Sequence, residues 1–455
     1  MNIKLRIFLT LTSAGLAVLV FPPIAWAPLA VIAWIPLLLA LRGTKASHAL
    51  YLGILHGAIF YGVTMSWLWD VFAEARWLFA PLIMIMALFT GMFARGFSVA
   101  CSRYGMGWVT PVFASIWWLG VEFFRCDIFY LKFPWMTPGM GLGPTWLSPI
   151  IGVHGASLLV IFGAALMCSR RRQSVVGSVI LSLMLVSAWW QGKREVSAAD
   201  TVRVAAVQSE SIDIDQYEKL TRATAVDKPD IIIWPEHSLP IDLRRNKYQW
   251  PQMLKLAKET ESILVVGTRT DHESGGWYNT ALTFNGEGVL GEHFKNHPVH
   301  FFDDGVAGTE AKAVATPVGK TGTPICFDSD YQDVIRRMVS DGAEFLTIPS
   351  MDAIHWGEKE HYQHAELFRH RAAENGRWIM VAASSGMTQV LDPNGNRVAE
   401  LPIIDQGVLT YELGKSNDVT IYNRAGWLLP WAAMGIAILW VIWIGVQMLL
   451  EKKKA

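Results

Sequence analysis

The strongest constraint on this chain is where its apolar residues lie: long apolar runs at both ends enclose one segment of ordinary soluble composition. Residues 1–192 are almost continuously apolar, residues 193–425 mix charge with hydrophobicity, and residues 427–450 are apolar again, ahead of Glu451 and Lys452 to Lys454. A bilayer crossing takes about 20 apolar residues. Seven candidate crossings precede the soluble segment, at roughly 5–21, 24–41, 49–69, 77–97, 108–125, 150–168 and 174–191, and an eighth follows at 427–449. The expected plan is a polytopic helical membrane domain of about eight spans, with seven in 1–192, an α/β domain over 193–425, and a last span with a basic tail over 426–455.

Lys4 and Arg6 ahead of an apolar run resemble the start of a signal peptide, but a second run follows at once across Phe21-Pro22-Pro23 without a small-residue cleavage site. The first run is therefore read as a retained span. Lys4 and Arg6, Arg42 and Lys45, Arg95 and Arg103, Arg170 to Arg172, and Lys452 to Lys454 all fall on one side of the membrane if the N-terminus is cytoplasmic. Lys193 and Arg194 run mildly against that rule. Residues 193–425 are then expected outside the cytoplasm. Trp67, Trp69, Trp77 and the Pro/Gly/Trp-rich stretch from Phe133 to Pro149 weight the outer face, as an interfacial aromatic belt or as a mouth for lipid. Glu122 and Arg125, three apart on a helix, either pair with each other or hold a headgroup.

A 52% hydrophobic chain with a formal net charge of zero is neither disordered nor an electrostatic binder of nucleic acid. Its four cysteines, Cys101, Cys126, Cys168 and Cys326, have no regular spacing, so neither a disulfide framework nor a zinc site is expected. His293, His297 and His300 form one histidine cluster, and His355, His361, His364 and His370 another, but neither spacing matches a zincin-type metal motif.

Within the soluble segment, strand-like runs at 202–208, 231–234, 263–268, 313–316, 323–326, 344–349, 378–383 and 389–391 alternate with helical patterns at 214–227, 250–261, 334–341 and 358–376. Residues 279–284 and 288–291 flank an Asn-Gly-Glu turn and read as a hairpin. The pattern suggests an α/β sandwich. Three residues just past predicted strands stand out: Glu236 after Trp234-Pro235, Lys295, and Cys326 within Thr323-Pro324-Ile325-Cys326-Phe327-Asp328. Taken singly, each reads as bland: a buried thiol, a turn carboxylate and a solvated lysine. Together they supply what acyl transfer requires. A thiol is a nucleophile once a base takes its proton, a carboxylate is that base, and a fixed ammonium stabilises a developing oxyanion. A second acid, Asp303 or Asp328, is the candidate to orient Lys295 or relay a proton.

Those motifs carry a resemblance. Trp234-Pro235-Glu236, Phe294-Lys295-Asn296-His297, Pro324-Ile325-Cys326-Phe327-Asp328, and the helix spanning His364 to Arg369, Arg371, Glu374, Gly376 and Arg377 resemble the nitrilase, or carbon–nitrogen hydrolase, superfamily. The membrane stretches resemble the apolipoprotein N-acyltransferase family: Phe21-Pro22-Pro23 to Trp34, Trp118 to Arg125, Phe133-Pro134-Trp135 and Ser148 to Gly155. The resemblance covers nearly the full length. It implies an αββα sandwich and catalysis by Glu236, Lys295 and Cys326, with Trp135, Trp234, Phe327 and His364 as substrate contacts. It implies a phospholipid acyl donor, a thioester on Cys326, and a diacylglyceryl-lipoprotein amine as acceptor. It also implies no metal or organic cofactor, a multi-pass protein of the bacterial inner membrane with its catalytic domain in the periplasm, and a monomer. Three places depart from the family pattern. His300-Phe301-Phe302-Asp303 stands where Pro-Phe-Gly-Glu is usual, which makes Asp303 the second carboxylate. Asp328 replaces a glutamate, and Ser350-Met351-Asp352 replaces Ser-Asn-Asp. Because all three touch the substrate-facing rim, a membrane-tethered amidase, an acyltransferase with another acceptor, and a non-catalytic lipid or lipoprotein binder are the competing readings.

Overall fold

The computed structural model describes residues 1–272 and 275–454, with side chains described as far as Glu451. The chain forms two compact units, Met1–Trp190 with Ala425–Ala455, and Gln191–Arg424.

The first unit is helical. Six of its described helices are long and apolar enough to cross a bilayer: Ile3–Val20, Ala46–Thr64, Arg76–Tyr104, Ser148–Met167, Arg171–Gln191 and Gly426–Glu451. The other two expected spans take a different form. Over 24–41 the chain makes a 3₁₀ turn, Ala27–Val31, and a short helix, Ile35–Leu41, each with a proline in its first turn. Proline lacks the N–H that a helix interior needs, so a continuous span is interrupted there. Over 108–125 the helix Val109–Phe123 runs into a π-turn, Phe124–Ile128. Glu122 and Arg125 do not pair. Glu122 accepts from Trp118 Nε1 at 2.7 Å and faces His154 Nδ1 at 2.8 Å. Arg125 donates to the carbonyls of Phe133 at 2.6 Å and Trp135 at 2.9 Å. Buried Arg6 donates to the carbonyls of Arg42 at 3.0 Å and Gly43 at 3.1 Å, beyond the end of the Ile35–Leu41 helix, so a charge within the first span is spent on backbone groups that would otherwise lack partners. On the Gly426–Glu451 helix Ile436, Leu439, Ile442 and Val446 are exposed, as suits a lipid-facing surface.

The second unit holds two six- to seven-stranded sheets. Its strands are β1 Thr201–Gln208, β2 Ile231–Ile233, β3 Leu239–Asp242, β4 Ile263–Asp271, β5 Trp277–Asn285, β6 Gly288–Phe294, β7 Val314–Thr316, β8 Gly319–Gly322, β9 Phe345–Ser350, β10 Ile379–Ala383, β11 Gln389–Leu391, β12 Arg397–Glu400 and β13 Gly407–Gly414. The first sheet runs β13-β1-β2-β4-β5-β6 with β3 beside β4, and the second runs β12-β11-β10-β9-β8-β7. In each, a parallel centre (β1-β2-β4; β8-β9-β10) passes into antiparallel edges.

Side-chain alternation along the strands builds the layers. Val202, Val204 and Ala206 of β1, with Ile231 and Ile233 of β2, pack against Phe345 of β9 and Met380 and Ala382 of β10 in one core between the sheets. The intervening Ala205, Val207 and Ile232 face the other way, onto Tyr217, Met253, Leu256 and Ala257 of the helices Ile214–Thr224 and Gln249–Glu259. Leu346, Ile348, Ile379 and Val381 likewise meet Val334, Ile335, Met338 and Phe368 of the helices Asp333–Ser340 and Glu358–Asn375. The result is the αββα sandwich. Each fully buried Ile or Val contributes roughly 1.5–3 kcal/mol. The Glu358–Asn375 helix ends at Gly376 with φ 62°, a left-handed cap that glycine adopts without strain.

Two local expectations shift. The strand read at 323–326 lies at 319–322, and Cys326 instead opens a 3₁₀ turn, Cys326–Asp330. β3 and β13 were not anticipated. β13 pairs with β1 from Thr201↔Gly414 to Gln208↔Gly407, so the last strand of the domain closes beside its first.

Candidate active site

The chemistry-bearing side chains gather where strands end. Glu236 follows β2, Lys295 follows β6, Asp352 follows β9, and Cys326 lies beyond β8. The carboxyl ends of parallel strands point into one crevice, which is where such sheets ordinarily hold ligands.

Lys295 is 1% exposed and its Nζ donates to Glu236 Oε1 and to Asp304 Oδ2, both at 2.7 Å. A buried ammonium held by two carboxylates is fixed in position and charge. Burial disfavours its charge, but Asp304 and Glu236 outweigh burial and hold the ammonium well above the usual lysine range. Burial also works against the Asp304 charge, yet Lys295 and the donors around it hold that carboxyl below the usual range. Val299 N donates to Asp304 at 2.8 Å, and His237 Nε2 lies 3.4 Å from it. Asn279, fully buried on β5, bridges the two acids: its Nδ2 donates to Glu236 at 2.6 Å and to Asp304 at 2.7 Å.

Cys326 sits in the core between the sheets at 5% exposure, with its Sγ 3.6 Å from the Met351 carbonyl. Its φ is 44°, a left-handed value uncommon for any residue with a side chain, and such strain is retained where a side chain must be aimed. Burial and then the Glu236 charge push the thiol well above its ordinary pKa, while the Lys295 charge pulls the other way. At rest the group is therefore a thiol, and reaction calls for a base.

The structure joins Glu236 and Lys295 directly at 2.7 Å and leaves Cys326 near enough for both charges to act on its thiol. It corrects the second acid: Asp303 is exposed, and the carboxylate against Lys295 is Asp304, one residue on. Asp328 is buried but does not orient Lys295. It accepts from the backbone N–H groups of Asn296 at 2.9 Å, His297 at 2.8 Å and Ile325 at 3.2 Å, and faces His293 Nε2 at 2.8 Å. It therefore locks the Lys295 loop onto the Cys326 turn. Trp234 is not at the crevice. It shares the helix-facing parity of Ile232, stacks on Tyr217 at 4.7 Å between ring centres and donates to Thr221 at 2.9 Å. Phe327 is partly exposed within the Cys326–Asp330 turn and meets Tyr331 edge-on at 5.2 Å. Trp135 is buried in the first unit against Trp67 and Phe133. His364 is buried, and its ring nitrogen, an Asp352 oxygen and the Cys326 sulfur lie within 4.8 Å of one another. Asn279, His237 and Asp304 escaped the sequence reading. The available signal was a fully polar Asn opening a strand whose following residues are apolar or Thr.

Two family models match the chain: Apolipoprotein N-acyltransferase N-terminal domain over residues 13–166, and Carbon-nitrogen hydrolase over residues 203–417. The apolipoprotein N-acyltransferase of Geobacter metallireducens is 25% identical, covering 93% of this chain and 92% of that one. That of Pseudomonas aeruginosa is 27% identical, covering 94% of this chain and 95% of that one. Among solved structures, Saccharomyces cerevisiae Nit3, a member of branch 10 of the nitrilase superfamily, is similar at 22% identity and a TM-score of 0.40, over 48% of this chain and 93% of that one.

Proposed function

The chain belongs to the apolipoprotein N-acyltransferase family, the membrane-embedded branch of the carbon–nitrogen hydrolase superfamily, and on that premise we propose that it moves a fatty acyl chain from phospholipid to the N-terminal amine of diacylglyceryl-cysteine on lipoproteins. The observation that carries this reading is Lys295 clamped at 2.7 Å between Glu236 and Asp304 beside a buried, strained thiol.

In the first step Glu236 takes the Cys326 proton as sulfur attacks the ester carbonyl. The S–C bond forms, the ester C–O bond breaks, and the proton passes from Glu236 to the departing lysophospholipid oxygen. Lys295 faces the oxyanion that develops between those events. In the second step the neutral amine attacks the thioester. The C–N bond forms, the C–S bond breaks, and the amine proton returns through Glu236 to the thiolate. Asp304 and Asn279 keep Lys295 and Glu236 in register throughout. The chain is a membrane protein; the Lys/Arg distribution along its spans supports a second unit outside the cytoplasm, and its bacterial relatives support the inner membrane with that unit in the periplasm. A single copy of the second unit carries Glu236, Lys295 and Cys326, which supports a monomer as the working form.

Intact mass spectrometry in phospholipid micelles tests the first step. Wild type is expected to gain a fatty-acyl mass that hydroxylamine removes, and Cys326→Ser to gain no hydroxylamine-labile mass. An unmodified wild type would move the reading to an amidase or a lipid-binding protein. Within the same assay Asp304→Asn is expected to slow adduct formation by roughly 10²-fold or more. Asp303→Asn, on an exposed side chain, is expected to stay within about twofold of wild type.

A further inference from the structure

Close to Cys326 lies a second buried charge assembly, which the proposed reaction does not use. His364, on the Glu358–Asn375 helix, is 2% exposed. Its Nδ1 lies 2.6 Å from Asp352 Oδ1 and its Nε2 lies 3.3 Å from Asp330 Oδ1. Carboxylate oxygens only accept, so a ring hydrogen-bonded to one acid and ion-paired with another favours the doubly protonated imidazolium. The two acids come from the two segments that frame the thiol. Asp330 ends the turn that Cys326 opens. Asp352 directly follows Met351, whose carbonyl receives Cys326 Sγ.

We propose that His364 is a positioning residue for Cys326: it ties the nucleophile turn to the segment after β9 and cancels the Asp352 charge that lies beside the thiol. The proposal rests on the reading of Cys326 as the nucleophile. Asp352 has little room to take up any other place. Its carbonyl accepts from Ser384 Oγ at 3.1 Å, and a Cβ added at Gly386 would fall 2.0 Å from its Oδ2. Three charged groups from three segments act on the thiol: Glu236, Lys295 and Asp352. Glu236 is already compensated by Lys295 at 2.7 Å. Asp352 is compensated chiefly by His364, with smaller contributions from His361 and Lys295, and without His364 its carboxylate would oppose formation of the thiolate more strongly. Around His364 stand Asp352, Asp330 and Glu360. Burial and the Asp352 charge push Glu360 well above the usual carboxyl range, which disfavours a third negative charge there.

The test is the pH dependence of Cys326 alkylation by iodoacetamide, followed by intact mass on the full-length protein in detergent micelles. The other three cysteines are replaced by serine in every sample. His364→Gln is expected to raise the alkylation midpoint by about one pH unit. Asp352→Asn is expected to lower it, and the double variant to return it towards wild type. A midpoint unmoved in His364→Gln, or a double variant shifted as far as His364→Gln alone, would reduce His364 to a packing residue and overturn the proposal. Should His364→Gln alone not fold, the double variant is compared with Asp352→Asn: a higher midpoint in the double variant supports the proposal and an equal one overturns it. Alkylation needs only an ionisable thiol. A wild type that alkylates but never acquires an acyl group therefore counts against the acyl-transfer reading and leaves this test intact.

Discussion

Replacing Lys295 with methionine is expected to remove both the activity and a large part of the stability of the second unit. Methionine approximates the length of the lysine stem but supplies no charge. Glu236 and Asp304 are then left as two buried carboxylates held near each other by Asn279. Removing one partner of a buried ion pair costs about 3–5 kcal/mol, because the charge left behind has lost its water and gained nothing. One of the two acids is expected to escape by taking up a proton. Glu236 is the one whose protonation would end the reaction, since a protonated carboxyl cannot accept the thiol proton. Loss of the oxyanion partner alone slows comparable reactions by roughly 10²–10³-fold. Adduct formation in phospholipid micelles and thermal unfolding in detergent measure the two losses separately. Lys295→Met retaining wild-type adduct formation would remove Lys295 from the mechanism. Wild-type thermal stability would mean that the pair is not buried in solution as it is here. Lysine→arginine is not expected to rescue, because the larger planar fork does not fit a space shaped for one ammonium.

A mutation that touches no polar group is expected to have the second largest effect. Gly267 lies in β4 where the turn carrying the base crosses it, and an added Cβ would sit 2.2 Å from the Pro235 carbonyl and 2.5 Å from Glu236 Cα. Those are backbone atoms, so no side chain can swing aside. Either β4 or the Pro235-Glu236 segment must move, and the Gly267 carbonyl itself accepts from Ser238 Oγ at 3.0 Å. Gly267→Ala is therefore expected to displace Glu236 from Lys295 by a fraction of an ångström or more. Misplacement on the order of 1 Å costs about 10²-fold in rate, and overpacking of this kind costs roughly 1–3 kcal/mol. Gly435→Ala, in the Gly426–Glu451 helix where nothing lies within 4 Å of the added carbon, is the control and is expected to change neither quantity. Equal activity in Gly267→Ala and wild type would show that the Glu236 turn tolerates movement, and would weaken the case for a tightly preorganised base.

The legible part of this protein was local. Apolar runs of bilayer length need no partner to be recognised, so the membrane spans could be read directly, apart from the two that proline and a π-turn reshape. Trp234-Pro235-Glu236, Lys295 and Cys326 could be read because each motif is a few residues long and follows a strand-like run. β13 was missed because Gly407 to Gly414 is half exposed and only its pairing with β1 makes it a strand.

The sequence by itself marked out the apolar and soluble segments and singled out Glu236, Lys295 and Cys326, in that order, as candidates for catalysis. Hydrophobic length, strand periodicity and motif spacing are properties of neighbours along the chain. Tertiary structure alone decided which carboxylate holds Lys295. Asp303 and Asp304 are adjacent and chemically alike, and only the path of the loop buries one and exposes the other. It also decided that Trp234 faces the helices, that Asn279 bridges two acids, and that His364 stands between Asp330 and Asp352. Each of those facts joins segments far apart in the chain, and no local pattern carries information about which of many polar side chains two packed sheets will bring within 3 Å of one another.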